Sequence, residues 1–358
     1  VALLCLFFGQ QARAQEDIVP GPRYVDGRAA ALGGASLPIG DDAAAALFNN
    51  PADVGKFRGQ HIEPINFELY GNSGYVGNFS LTDPSFYKVT SLSSYYPTLV
   101  KNPGSYASIG GSELASFWMK SFAFGVLMQS HMAALENQDG TVTYRSTYQL
   151  IPTMATGFRL AGGIIRIGYS MQWVNEAVGL VTADPTQATL GYNQNLQQGS
   201  AISHNLGMAL TLPVAYLPQF DLVARNVLGA NYSSFSLYSF SPNPTGPPQT
   251  DPMTVDASFS IQPKLGSGAY MNFVTEYRDV LDASQVPVMG RLAFGAEFSF
   301  RDSVFLRGGW GSGYPDLGVG FRRANGEFNL TWFSEDVGAS YHALRDTRFM
   351  LQYSIRAF

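Results

Sequence analysis

Between Arg291 and Phe358, apolar and polar residues alternate through five consecutive segments, and aromatics crowd the apolar positions. In the first of them Leu292, Phe294, Ala296, Phe298 and Phe300 share one face, while Ala293, Gly295, Glu297 and Ser299 share the other. Successive side chains of a strand point to opposite faces, so a period of two denotes strands. One face is apolar and the other carries charge in mid-strand. A soluble core does not readily explain that pairing, whereas a wall between lipid and an aqueous lumen does. The pattern predicts an all-β fold, a transmembrane outer-membrane β-barrel.

The same alternation recurs upstream. Ile65, Phe67 and Leu69 interleave with Asn66 and Glu68; Ile165, Ile167, Tyr169, Met171 and Trp173 interleave with Arg166, Gly168, Ser170 and Gln172. About fourteen antiparallel strands are readable, an even number as single-chain bacterial barrels require. The gaps between them alternate long and short, from the long Tyr70–Gly111 and the tight Lys120-Ser121 onward. Short periplasmic turns and longer external loops produce that rhythm, so both termini are expected in the periplasm. The stretch Gly311–Pro315 reads as an external connection of intermediate length.

Composition agrees. Charged residues make up 14% of the 358, against about 25% in ordinary soluble domains. Net charge is −5, with no basic run, so no electrostatic footprint for nucleic acid exists. Val1–Gly9 reads as the apolar core of a signal peptide (residues 1–14), with Ala12-Arg13-Ala14 as a small-x-small cleavage site. Cys5, the single cysteine, lies inside it. A processed chain then holds no disulfide, thiolate metal site or thiol nucleophile.

Residues 15–58 do not alternate and are expected to form an N-terminal plug inside the barrel of residues 59–358. Asp41 or Asp42 is placed to cap a short helix through Ala43–Phe48, and Pro51 pushes Asn50 out of helical geometry. The run Gly33-Gly34-Ala35-Ser36, then Asp41-Asp42, then Asn50-Pro51-Ala52 resembles the start of the FadL/TodX-type outer-membrane transport family, including its PorV-like relatives. Arg225–Gly229 and the glycine-rich Leu306–Phe321 are similar to relatives as well. The resemblance implies a plug motif at Asn50, Pro51 and Ala52 inside a fourteen-stranded barrel. It also implies passive uptake of hydrophobic small molecules such as long-chain fatty acids. For PorV-like relatives it implies instead a protein partner in a secretion or other outer-membrane assembly.

Catalytic chemistry is not expected. Ser203 and His204 are neighbours on a strand, so they point to opposite faces and cannot act as nucleophile and base. No histidine has metal-ligand spacing, and no cofactor motif appears; Gly309–Gly313 joins two strands without the following helix that a phosphate loop needs. Arg166, Glu276, Glu297 and Arg307 are expected to face the lumen, because charge at mid-membrane on the lipid face is costly. They would pack the plug against the wall or meet a ligand's head group. The membrane, with its lipid and lipopolysaccharide, is the surrounding partner. Residues 84–101 switch to a helical stripe of Phe86, Val89, Leu92, Tyr95 and Leu99, expected to dock substrate or loop neighbours. One irregularity stands at the end: the apolar row Phe349–Ile355 is a residue out of step with Phe358, which a β-bulge would restore.

Overall fold

The computed structural model describes residues 21–76, 106–137, 139–183, 196–284, 286–338 and 341–357. The signal-like segment, the helical stripe at 84–101, most of the loop at 179–199 and Phe358 lie outside them.

Fourteen antiparallel strands close into one barrel. They are β1 His61–Asn72, β2 Tyr106–Met119, β3 Phe122–Glu136, β4 Val142–Leu160, β5 Ile165–Ala183, β6 Leu196–Thr211 and β7 Gln219–Arg225. The second half comprises β8 Thr254–Ile261, β9 Ala269–Tyr277, β10 Leu292–Phe300, β11 Val304–Gly311, β12 Tyr314–Arg323, β13 Gly326–Asp336 and β14 Arg345–Ala357. Each strand pairs with the next, and β14 returns to β1 with Tyr353 opposite Phe67. Lys264–Gly266 adds a short edge to the β8–β9 turn.

Alternation settles which face is which. On β1, Ile65, Phe67 and Leu69 are exposed and Asn66 and Glu68 are buried. On β14, Phe349, Leu351 and Tyr353 face out while Met350, Gln352 and Ser354 face in. The bulge expected in the last strand is not found among its described residues: β14 pairs with β13 in unbroken register through Ile355, and Phe358, whose phase it was to restore, lies outside them. The slip falls on β1, between Ile62 and Ile65, around Pro64. Proline has no N–H for the ladder, so it is tolerated at such a site. Glu63 and Asn66 consequently both face inward. The external connection expected at Gly311–Pro315 is shorter than its reading: β11 and β12 are joined by Ser312-Gly313 alone, both with positive φ.

The wall is uneven in height. β4 and β5 have 19 residues each, β7 has 7 and β8 has 8. β6 meets β7 over residues 206–211. Above that, the loop after β7 completes the wall: Ser200 bridges Ser233, and Thr245 N donates to Leu196 O at 2.9 Å.

Alternation fails instructively on β2–β5. Their inner residues Leu114, Leu127, Ile151 and Val174 are apolar and fully buried. They pack with Tyr24, Leu47, Phe48, Val54 and Phe57 of the N-terminal segment into a hydrophobic core like that of a soluble domain. The lumen is therefore half core and half polar network.

Replacing outward Leu206 by Arg should destabilise the barrel by about 2–4 kcal/mol when its height is near mid-membrane. Denaturant unfolding in lipid vesicles measures this, with Gln129→Arg on the inner face as the contrasting variant of smaller effect.

Candidate functional site

The N-terminal segment runs down the inside of the barrel, from the external loop at Arg23 to the turn side at Asn50–Val54. It begins with helix α1, Gly27–Ala31, which Asp26 caps by accepting a hydrogen bond from Ala29 N. Sequence patterning gave no sign of α1, because a five-residue stretch shows no helical period. Of the two expected caps, Asp42 serves: its Oδ1 accepts from Ala45 N at 2.9 Å. The helix it starts widens into a π-helical turn, Ala45–Asn49. Asn50 is extended, and Pro51 does more than stop the turn. It opens a 3-10 helix, Pro51–Lys56, at the first position, where its missing N–H costs nothing.

The wall receives this segment in two troughs made of glycine. Gly157, Gly168 and Gly207 lie side by side on β4, β5 and β6. A Cβ at Gly168 would overlap the Pro51 carbonyl, one at Gly207 would overlap Asn50 Oδ1, and one at Gly157 would come within 2.9 Å of Val54 Cβ. Asn50 is then fixed from both ends: Nδ2 donates to Asp221 Oδ1 at 3.0 Å, and Oδ1 accepts from Ala52 N at 3.0 Å. Across the barrel, Gly295 and Gly309 form the second trough on β10 and β11. Leu32 and Gly33, the latter with positive φ, press into it, and Cβ atoms at Gly309 or Gly311 would overlap them; Gly34, also with positive φ, lies against Arg278. The glycine-rich hairpin read as an external turn is thus largely a seat.

The charged residues expected in the lumen all lie on its inner face; Glu297, Glu276 and Arg166 reach the segment, while Arg307 braces Glu297 from the wall. Glu297 accepts from Arg28 Nη2 at 2.7 Å, Arg307 Nε at 2.7 Å and Asn272 Nδ2 at 3.0 Å. Glu276 Oε2 accepts the backbone N–H groups of Ser36 at 2.8 Å and Leu37 at 3.1 Å. Arg166 donates to Thr211 Oγ1 and Gln219 Oε1 and lies 4.0 Å from Asp53, which pairs with Lys56 at 2.7 Å. Asp41 receives Arg28 at 3.0 Å and Arg322 at 3.2 Å. At the upper end of the segment Arg23 pairs with Asp251 of the external loop, which also accepts from Tyr232 OH at 3.0 Å.

These positions set the protonation of the segment's acids. Enclosure by the barrel opposes charge on Asp41, whose side chain keeps 46% exposure; Arg28, Arg322 and Arg356 outweigh it and hold the carboxyl below the ordinary range. Burial, then the charge of Asp41, raises Asp42. Burial, with Asp42 nearby, pushes Asp26 up to about 7.

Above the segment lies a cavity of 590 Å³. Its floor includes Gly21–Val25 and Ala30, and its walls carry Arg145, Arg278, Arg348, Glu68 and Glu176. One corner is apolar, where Val25, Ala30, Tyr70, Phe333 and Met350 pack together. Ser203 and His204 are far from forming a catalytic pair. Ser203 is buried and donates to Asn226 Oδ1, whereas the His204 ring stacks on Tyr169 and meets its hydroxyl at 2.7 Å. Among the described residues no group of His, Cys, Asp and Glu is gathered to hold a metal ion.

No family model and no curated protein matches the sequence. In structure the chain is similar to the CymD monoaromatic hydrocarbon channel, with a TM-score of 0.51 and 10% identity over 93% of this chain and 97% of that one. It is likewise similar to the TodX deltaS2S3 mutant monoaromatic hydrocarbon channel, with a TM-score of 0.53 and 10% identity over 94% and 98%. At that identity the likeness is one of fold. It agrees with the barrel fold implied by the resemblance to FadL/TodX-type proteins read from residues 28–52.

Two outcomes test this geometry. Gly168→Ala should unseat the Asn50–Val54 turn and make residues 23–58 cleavable by protease, whereas Gly308→Ala, with its nearest neighbour 3.7 Å away, should not. The pH dependence follows from Asp26. Released, it ionises near its ordinary 3.8; seated, near 7. Between those values the seated state binds the extra proton, so seating weakens as pH rises towards 7. Hydrogen exchange at Ala29 and Leu32, corrected for intrinsic rate, should show less protection at pH 8 than at pH 5, and Asp26→Asn should reduce that slope.

Proposed function

We propose that this protein is a passive outer-membrane channel for small hydrophobic molecules that carry a polar head, with long-chain fatty acids as the class to test first. The observation that carries the reading is the cavity floored by the N-terminal segment. An apolar corner of Val25, Ala30, Phe333 and Met350 shares that space with Arg145, Arg278 and Arg348. Such a chamber suits an amphiphile, whose tail takes the corner while its carboxylate meets a guanidinium. The two channels of like fold are named for monoaromatic hydrocarbons, which supports an apolar cargo.

The segment then acts as the plug. It stands between the cavity and the periplasm, so passage requires Asn50–Ala52 to leave the trough of Gly157, Gly168 and Gly207. Purified protein in liposomes should bind labelled fatty acid, and deleting residues 23–52 should raise permeability. No binding, together with unchanged permeability in the deletion, would sink the proposal.

A second reading is a PorV-like interaction protein serving a secretion or other outer-membrane assembly. The number of directions from which the segment is held favours it: Glu297, Glu276, Asp221 and Asp251 grip it from β10, β9, β7 and the external loop. A scaffold needs no moving part. Purification in mild detergent separates the two, since a stoichiometric protein partner favours the scaffold and a bound lipid favours the channel.

A further inference from the structure

The external loop between β7 and β8 is built inside out. From Asn226 to Pro252 its one charged side chain is Asp251, which is turned inward to Arg23. Its middle part lies against the outer face of β4–β6. On that face Asn175 and Ser200 stand opposite one another, in the same phase as outward Trp173 and Ile202. They and Gln198 are polar groups pointing away from the lumen, yet all three are buried.

The loop supplies their partners. Leu237 N donates to Asn175 Oδ1 at 2.8 Å, and Asn175 Nδ2 donates to Tyr238 O at 3.0 Å. Phe240 N and Ser241 N donate to Gln198 Oε1 at 2.8 and 3.0 Å, and Gln198 Nε2 donates to Ser236 Oγ at 2.8 Å. The loop's large apolar side chains point the other way. Phe235 is 60% exposed, Tyr238 57% and Leu237 42%. A loop facing water gains by the reverse arrangement, with aromatics buried and amides solvated.

This apolar surface continues the lipid-facing wall. Phe235 stacks on Trp173 with ring centroids 6.3 Å apart, and Phe240 stacks on Tyr148 at 5.8 Å. Trp173 and Ile202 lie about ten residues along the strand pair from the periplasmic turn at Ile164, roughly one membrane crossing away. We propose that residues 234–240 form a flap immersed in the outer leaflet at its external boundary, with lipid acyl chains against Phe235, Leu237 and Tyr238. The absence of cationic side chains from the flap's sequence makes the contact one with acyl chains rather than with phosphate. The assignment is independent of what crosses the lumen.

The test uses the full chain in protein-free phosphatidylcholine vesicles. On a Cys5→Ser background, an environment-sensitive fluorophore is attached at Phe235→Cys, at Tyr238→Cys, and at Asp139→Cys on the tip of the β3–β4 hairpin. Heat-modifiable electrophoretic mobility verifies that each variant is a folded barrel. Acyl-brominated lipid should quench the labels at 235 and 238 several-fold more than the label at 139, and aqueous iodide should show the opposite order. Labels at 235 and 238 that iodide reaches as readily as 139 would overturn the proposal. So would protection from iodide seen in native membranes but lost in the vesicles, because a protein would then be the cover.

Discussion

Hydrocarbon offers no hydrogen bonds, so a sheet in a membrane must satisfy every backbone group within itself. Here the requirement is met where β14 closes on β1, and the slip around Pro64 allows that pairing to run on despite a residue unable to donate. Closure has a second effect. It creates an enclosed inner surface that needs its own partner, and residues 21–58 provide it. On β2–β5 the partnership is apolar, with Leu47, Phe48 and Val54 of the segment against Leu114, Leu127 and Ile151. On β9–β11 it is polar and ionic: Glu276 accepts from Ser36 N, and Glu297, braced by Arg307, pairs with Arg28.

The ionic half is the more exacting. Glu297 and Arg307 are both fully buried, and a charge in such a place is tolerated only while its partners stay. Removing one member of a buried pair costs about 3–5 kcal/mol, whereas the intact pair adds little to stability. The network therefore specifies where the segment sits more than it strengthens the barrel. Asp41 extends that logic to the periplasmic side by drawing together Arg28 from the segment and Arg322 from β12.

The wall was almost fully legible in the sequence because lipid and lumen imprint opposite chemistry on adjacent residues. Legibility fell where that contrast disappears. Val126 beside Leu127, Leu150 beside Ile151 and Trp173 beside Val174 are apolar on both faces, so the period of two blurs where the inner core forms. Asn50-Pro51-Ala52 announced a turn, but not the row of Gly157, Gly168 and Gly207 that receives it. Those glycines come from three separate strands, and their alignment exists only once the register is set. The signal was present as a glycine at an inward position in each strand; register reasoning alone would have joined them. The hairpin at Gly309–Gly313 does turn at Ser312-Gly313, but its use as a seat at Gly309 and Gly311 was hidden for the same reason, since nothing local distinguishes a glycine that bends the chain from one that makes room.

One ion pair described above reaches further than its size suggests. Arg23 begins the segment inside the barrel, and Asp251 ends the loop that clothes its outside. The loop also packs Tyr232 against the core that holds Tyr24 and Phe48, and lends Pro248 and Gln249 to the cavity above the segment. Sharing that bond makes their free energies reciprocal: whatever the loop gains by gripping Asp251 in one position, the segment gains by the same amount through Arg23. Interior and exterior thus keep a single account of conformational strain, and neither can be altered as though the other were absent.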